Sequence, residues 1–269
     1  MSEPLVLYAV EDGVATLTLN RPERSNGWTG ALGQLYFSLL ERAAHDPAVR
    51  AIVVTGAGRA FCVGGDGAKL QDVVGAGGIE APVTTYAYTF PLRVGKPVIG
   101  AINGACFGIG LQQALCCDIR IAADDAKFST AYARRGLVAE YGMSWLLPRI
   151  VGAGHAMDML LSARLVRAAE AERMGLVNRV VPAADLLTEA VAYAREIAKN
   201  CAPASLRQMK KQAILDLTGE LDAAYARAET MLAEATTSDD FREGVKSWQE
   251  QRAPAFPPLG EDKALIDFD

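Results

Sequence analysis

Histidine is the scarcest reactive residue in this chain of 269 residues; only His45 and His155 occur. Each lies beside an apolar helical pattern, with no carboxylate or cysteine at ligand spacing, and reads as a helix-surface or packed imidazole. That argues against a Ser-His-Asp machine and against a histidine-rich metal site. Cysteines are few and odd in number, five with Cys116 and Cys117 adjacent. They make no disulfide framework, and reduced thiols in a cytoplasmic protein fit better. No G-x-G-x-x-G follows a first strand with an acidic residue downstream, and no G-K-[ST] phosphate loop occurs, so a Rossmann-type NAD enzyme is disfavoured. Met1 to Gly13 has no basic start followed by an apolar core, which predicts no signal peptide. No apolar run approaches the roughly 18 residues needed to span a bilayer. The net charge of −5 speaks against a nucleic-acid surface.

What is present is ordinary for a globular chain: 51% hydrophobic and 22% charged residues, enough for one large domain or a domain with an appended subdomain. The informative stretch runs from Val53 to Leu70, VVTGAGRAFCVGGDGAKL. An apolar strand, Ala51 to Thr55, breaks into a glycine-dense turn, and a helix restarts near Ala68. Gly64, Gly65 and Gly67 lack Cβ atoms, so the backbone can bend sharply and approach a ligand. Backbone N–H groups at such a turn suit an oxyanion. The pattern recurs: a buried strand over Lys96 to Asn103 ends in GACFGIG, Gly104 to Gly110, and a helix runs on to Asp118. Repeated strand–turn–helix units predict stacked αβ layers with ligand sites where strands end and helices begin.

Around these units the pattern predicts a hairpin from Leu5 to Val10 and Val14 to Asn20 across Glu11-Asp12-Gly13. A helix follows over Leu32 to Ala43, with Thr29 as cap and Asp46-Pro47 as stop. A mobile loop is expected at Gly75 to Gly78 and a helix between about Pro82 and Arg93. Strands are expected at Ile119 to Ala123, Lys127 to Ser129 and Leu176 to Val181. From Asp185 onward amphipathic helices dominate: Leu186 to Lys199, Ala204 to Leu217, Leu221 to Ala235 and Asp240 to Gln251. Asp66 reads as a helix cap and Asp118 as a structural carboxylate at a strand start.

Five segments in order, LNRPERSNGWTGAL, VVTGAGRAFCVGGD, KPVIGAINGACFGIGLQQALCCDIRIA, RRGLVAEYGMSWLLPRIVG and SDDFREGVKSWQEQRAPAF, resemble the crotonase (enoyl-CoA hydratase/isomerase) superfamily over essentially the whole chain. The resemblance implies an α/β fold: a crotonase-like spiral of ββα units over residues 1–200 carrying the acyl-CoA site, then a C-terminal helical oligomerisation region over 201–269. It also implies an acyl-CoA thioester substrate, no separate cofactor, and a homotrimer or dimer of trimers.

The family's oxyanion hole uses two backbone N–H groups, and the matching positions are Gly65 and Ile109. Hydratases of the family carry two glutamates; Gln112 and Tyr132 stand at those positions, and neither is a carboxylate base. Gln112 either hydrogen-bonds a substrate or ordered water or satisfies buried backbone. Tyr132 acts as a donor or shapes the acyl pocket. Glu140, after Gly136-Leu137, matches the position that takes over in some isomerases and in the dehalogenase branch. Its neighbours Leu137, Val138, Met143 and Trp145 are apolar, which would raise its pKa toward the range of a general base. A lone base suffices for allylic double-bond migration; hydration with water held by Gln112, or a non-catalytic acyl-CoA binder, are the alternatives. Arg24 lies where the family often has a basic residue near the CoA phosphates, and Val63 would present backbone to the adenine. Lys210 or Lys246 would reach a neighbour's phosphate. Arg134-Arg135 reads as a solvated pair or an interface contact.

Overall fold

Strands β1 (Val6–Glu11) and β2 (Val14–Leu19) open the fold as an antiparallel hairpin in unbroken register, Val6 opposite Leu19 and Glu11 opposite Val14. Asp12 and Gly13 both have positive φ, 48° and 78°, which is the two-residue turn that matches strand twist. Helix α1 (Gly30–His45) follows, and the Thr29 hydroxyl accepts from the Leu32 N–H at 3.2 Å. Its buried stripe, Leu32, Tyr36, Phe37 and Leu40, has helical spacing and faces the sheet.

The chain next repeats one unit: a long strand, a short strand, a helix. The first is β3 (Ala51–Gly56), β4 (Ala60–Cys62) and α2 (Gly67–Gly75); the second is β5 (Val98–Ile102), β6 (Ala105–Phe107) and α3 (Ile109–Leu115); the third is β7 (Ile119–Ala123), β8 (Lys127–Ser129) and α4 (Met143–Ser162). Then come β9 (Val166–Arg167), α5 (Ala168–Arg173), β10 (Arg179–Val181) and α6 (Leu186–Asn200). The first strand of each unit joins β1, β2 and the short β10 in one sheet, in the order β1-β2-β3-β5-β7-β10, and the second strands join β9 in another, β4-β6-β8-β9. Each unit therefore crosses from one sheet to the other before its helix. This computed structural model describes residues 3–75, 77 and 84–268.

Every residue of β3 and β5 is buried, as expected for parallel strands covered on both faces. One cover is α6, whose Leu186, Ala190, Ala194 and Ala198 form a buried stripe against β3 and β5. Small side chains let that helix approach closely. Helices α7 (Pro203–Asp216), α8 (Leu221–Thr236) and α9 (Asp239–Gln249) follow. No residue of α8 is buried, and Leu221, Tyr225, Leu232, Phe241 and Trp248 are exposed. The segment after α9 returns to the core: the Gly95 N–H donates to Ala264 O at 2.8 Å and the Ile266 N–H to Arg93 O at 2.6 Å. No described helix is long and apolar enough to cross a membrane.

Several expectations need correction. The helix expected over Pro82 to Arg93 is a single 3-10 turn at Phe90–Arg93; Pro82 lies outside the described residues, as do Ala76 and Gly78 of the expected loop. The strand expected over Leu176 to Val181 shrinks to Arg179–Val181, because the N–H groups of Leu176 and Val177 turn back to Ala171 O. Strands β4, β6 and β9 span two or three residues each, too few to show a period in sequence. Gly152, at φ 77° and ψ 159°, kinks α4.

Candidate active site

Two glycine corners and one loop build the site. At the first corner, Asn103 Nδ2 donates to Gly56 O and Gly58 O at 2.8 and 3.0 Å. Asn26 Nδ2 donates to Ala57 O and Ala60 O at 2.9 and 2.7 Å, while its Oδ1 accepts from the Arg21 N–H. These two side-chain amides, that of Asn26 fully buried, satisfy the carbonyls that the tight β3–β4 turn leaves without ladder partners. Beyond β4, Gly64 has φ 92° and sits against Phe107 O, so only glycine fits without strain. The Trp28 N–H bonds Gly64 O at 2.7 Å and the Asp66 N–H bonds Trp28 O at 3.0 Å. The residues flanking Gly65 are thereby fixed, and its own N–H has no hydrogen-bond partner among the described residues.

Asp66 caps α2 as expected, its Oδ1 accepting from the Ala68 N–H at 3.0 Å. It also carries an ion pair to Arg21 at 2.9 Å, a brace that connects positions 45 apart and that no local pattern announces.

At the second corner α3 starts flush against β4. A Cβ on Gly110 would stand 2.1 Å from Cys62 O, so the two backbones are as close as glycine allows. Ile109 is the first residue of α3, a position whose N–H has no partner inside the helix. It has none elsewhere among the described residues.

Gly65 and Ile109 line one cleft of about 50 Å³. Val63, Gly64 and Gly108 complete its corner walls, and Tyr132, Arg135, Leu137 and Glu140 close it from the loop after β8. Tyr141 and Gly142 both have positive φ, which turns the chain from Glu140 into α4. Glu140 is half-buried, and its carboxylate has no hydrogen bond or ion pair among the described residues. Burial pushes its pKa up from the ordinary glutamate value. One expected apolar neighbour is misplaced: Val138 is 79% exposed, so that side chain is not what buries the carboxylate; the cleft walls are. Tyr132 is 5% exposed, and burial, with the Glu140 charge second, raises its phenol well above its usual range.

Gln112 stands outside the cleft. It is fully buried, its Nε2 donating to Tyr141 O at 3.0 Å and Tyr88 O at 3.3 Å while its Oε1 accepts from Gln113 Nε2 at 2.6 Å. Of the two readings left open in the sequence, this is the backbone-satisfying one; a water-holding amide is not what the geometry presents. The Tyr88 and Tyr141 rings stack at 3.8 Å, so the same pair of bonds ties the loop behind Glu140 to α3.

Arg24 is exposed at the end of a 3-10 turn, Pro22–Arg24, and Val63 donates its N–H to the adjacent Ser25 O at 3.3 Å. Arg134 and Arg135 are both exposed, as a solvated pair would be; Arg135 also borders the cleft, with one Nη donating to Ala131 O. Lys210 is not available to a neighbour's ligand: it is paired with Asp118 at 2.8 Å, and Asp118 also accepts from the Val98 N–H. His45 and His155 lie exposed on helices, and no group of three or more metal-ligating side chains occurs among the described residues.

Comparison with known proteins gives a consistent set of matches. The sequence model described as "Enoyl-CoA hydratase/isomerase" matches residues 9–258. A Rhodobacter capsulatus relative named "Probable enoyl-CoA hydratase" is 38% identical over 263 residues, covering 95% of this chain and 99% of its own. The Escherichia coli "1,2-epoxyphenylacetyl-CoA isomerase" is 35% identical over 264 residues, covering 93% and 97%. Among solved structures, a "probable enoyl-CoA hydratase/isomerase from Mycobacterium abscessus" superposes with a TM-score of 0.87 at 31% identity, over 94% of this chain and 99% of that one.

Proposed function

Because the chain belongs to the enoyl-CoA hydratase/isomerase family and is an enzyme of it, we propose that it moves double bonds in acyl-CoA thioesters, with Glu140 as the sole general acid/base. The thioester oxygen accepts from the N–H groups of Gly65 and Ile109. The Glu140 carboxylate takes a proton from the carbon α or γ to the carbonyl. The freed electron pair delocalises onto the oxygen as a dienolate, and Glu140 returns the proton to the other carbon. No atom is gained or lost, and no redox partner or metal enters the reaction, so the coenzyme A of the substrate is the only coenzyme it calls for.

The observation that carries this reading is the convergence on a single cleft of two backbone donors and one partly desolvated carboxylate, none of them with a partner among the described residues. An oxyanion donor of this kind is typically worth about 2.7–4 kcal/mol of barrier. A raised carboxylate pKa narrows the gap to the carbon acid it must deprotonate. Hydration would call for a water held beside Glu140. Gln112 has its amide committed to backbone, and Tyr132 stays protonated at working pH.

Arg24 and Val63 are assigned to the CoA end: Val63 lines the cleft and bonds Ser25, the residue after Arg24. The exposed apolar side chains of α8 and α9 support oligomerisation through residues 201–269, as a homotrimer or dimer of trimers.

The test is optical. Purified protein is mixed with a 3-enoyl-CoA and, separately, with a 2-enoyl-CoA, and the conjugated-thioester absorbance is followed. A rise with the first and no fall with the second is expected. A fall with the second would make it a hydratase. No change with either, alongside calorimetric CoA binding, would make it a binder.

A further inference from the structure

The proton transfer leaves one cleft side chain without a task. Tyr132 is almost wholly buried, with its ring near Gly108, where an added Cβ would lie 3.8 Å from the ring. Its hydroxyl has no hydrogen-bond partner among the described residues, although Glu140 faces the same cleft. A buried hydroxyl with no partner is costly, and folded proteins keep few of them. Phenylalanine would fill the same volume without that cost. Tyr36 Oη and Trp28 Nε1 are also unpartnered, but they lie within core packing around α1; Tyr132 lines the space a ligand enters.

We infer that the Tyr132 hydroxyl donates to an oxygen carried by the acyl group close to the reacting carbons, so that the enzyme selects oxygenated acyl-CoA thioesters bearing a hydroxyl, oxo or epoxide group. The inference rests on the thioester oxygen sitting between Gly65 and Ile109. Tyr132 lines the same cleft as the two amides and Glu140, so the oxygen it meets is carried close to the carbonyl. The acyl oxygen therefore lies within the first few carbons. Burial keeps the phenol protonated across the working pH range, so it is a permanent donor. A site built to pair with a ligand oxygen rejects the analogue lacking it, because its own polar group is then left stranded.

The experiment is isothermal calorimetry on wild type and Tyr132→Phe with four probes: butanoyl-CoA, the two enantiomers of 3-hydroxybutanoyl-CoA, and 4-hydroxybutanoyl-CoA. Wild type is expected to bind at least one hydroxylated probe about tenfold or more tightly than butanoyl-CoA. Tyr132→Phe should erase that preference while leaving butanoyl-CoA within about twofold, whereas a merely structural tyrosine would shift all probes alike. Absence of any preference in wild type, which needs no variant to measure, overturns the inference. So does a preference that survives the substitution. If wild type binds none of the probes, the thioester reading itself fails, and this inference falls with it.

Discussion

Replacing Gly110 with alanine puts a methyl group where there is no room for one. Its Cβ would stand 2.1 Å from Cys62 O and 2.8 Å from Cys62 Cβ, and an ordinary carbon–oxygen contact is about 3.3 Å or more. The start of α3 and the end of β4 must therefore part by roughly 1 Å. Those two backbones carry the Ile109 and Gly65 donors, so the separation falls directly on the proposed oxyanion hole. A misplacement of about 1 Å can cost about 10²-fold, and losing one donor outright costs about 10²–10³-fold in kcat. Overpacking adds about 1–3 kcal/mol of destabilisation. The assay is steady-state turnover of a 3-enoyl-CoA together with a thermal melt. Gly67→Ala is the control: nothing lies within 4 Å of its added Cβ, so kcat should hold and stability should stay level or rise by about 0.4–1 kcal/mol. A Gly110→Ala enzyme with wild-type kcat would refute the assignment of the Ile109 N–H.

Other consequences are as specific. Only the ionised form of Glu140 can accept a proton, so kcat/KM should fall as pH drops through its pKa; burial raises that pKa, placing the acid limb above the ordinary value of 4.5, and a limb at or below it would contradict the desolvation argument. Asp66→Ala removes a largely buried ion pair to Arg21 and a helix cap, and should cost about 3 kcal/mol in denaturant unfolding. Cys62, Cys106, Cys116 and Cys117 are buried, with the Cys62 thiol pushed up to about 12. A native thiol titration should therefore label Cys201 first and reach the other four only on unfolding.

The sequence makes the long elements plain and most of the short ones hard to see, β8 excepted, for physical reasons. Helices α6 to α9 carry eleven to sixteen residues each, several turns over which an apolar period can accumulate. Strands β4 and β6 have three residues and owe their conformation to each other, so the ββα unit reads locally as strand, turn, helix. The glycine corners announce themselves because close backbone approach demands a missing side chain, as at Gly64 and Gly110. Glu140 is legible only through the family resemblance, by its place after Gly136-Leu137, because nothing local marks one glutamate in a loop as different from another. Gln112 is ambiguous in sequence because its partners are carbonyls of Tyr88 and Tyr141, 24 and 29 residues away. Lys210 misleads for the same reason: its partner Asp118 lies 92 residues off, and no pattern around a lysine reveals that it is already paired.

The reading depends most directly on what becomes of turnover when Glu140, the one carboxylate lining the cleft among the described residues, is made an amide of the same shape. Glu140→Gln, assayed on a 3-enoyl-CoA against wild type, should lose about 10²–10⁴-fold in kcat with KM little changed and the acid limb of the pH profile gone. A variant that turns over at the wild-type rate with that limb intact would contradict it.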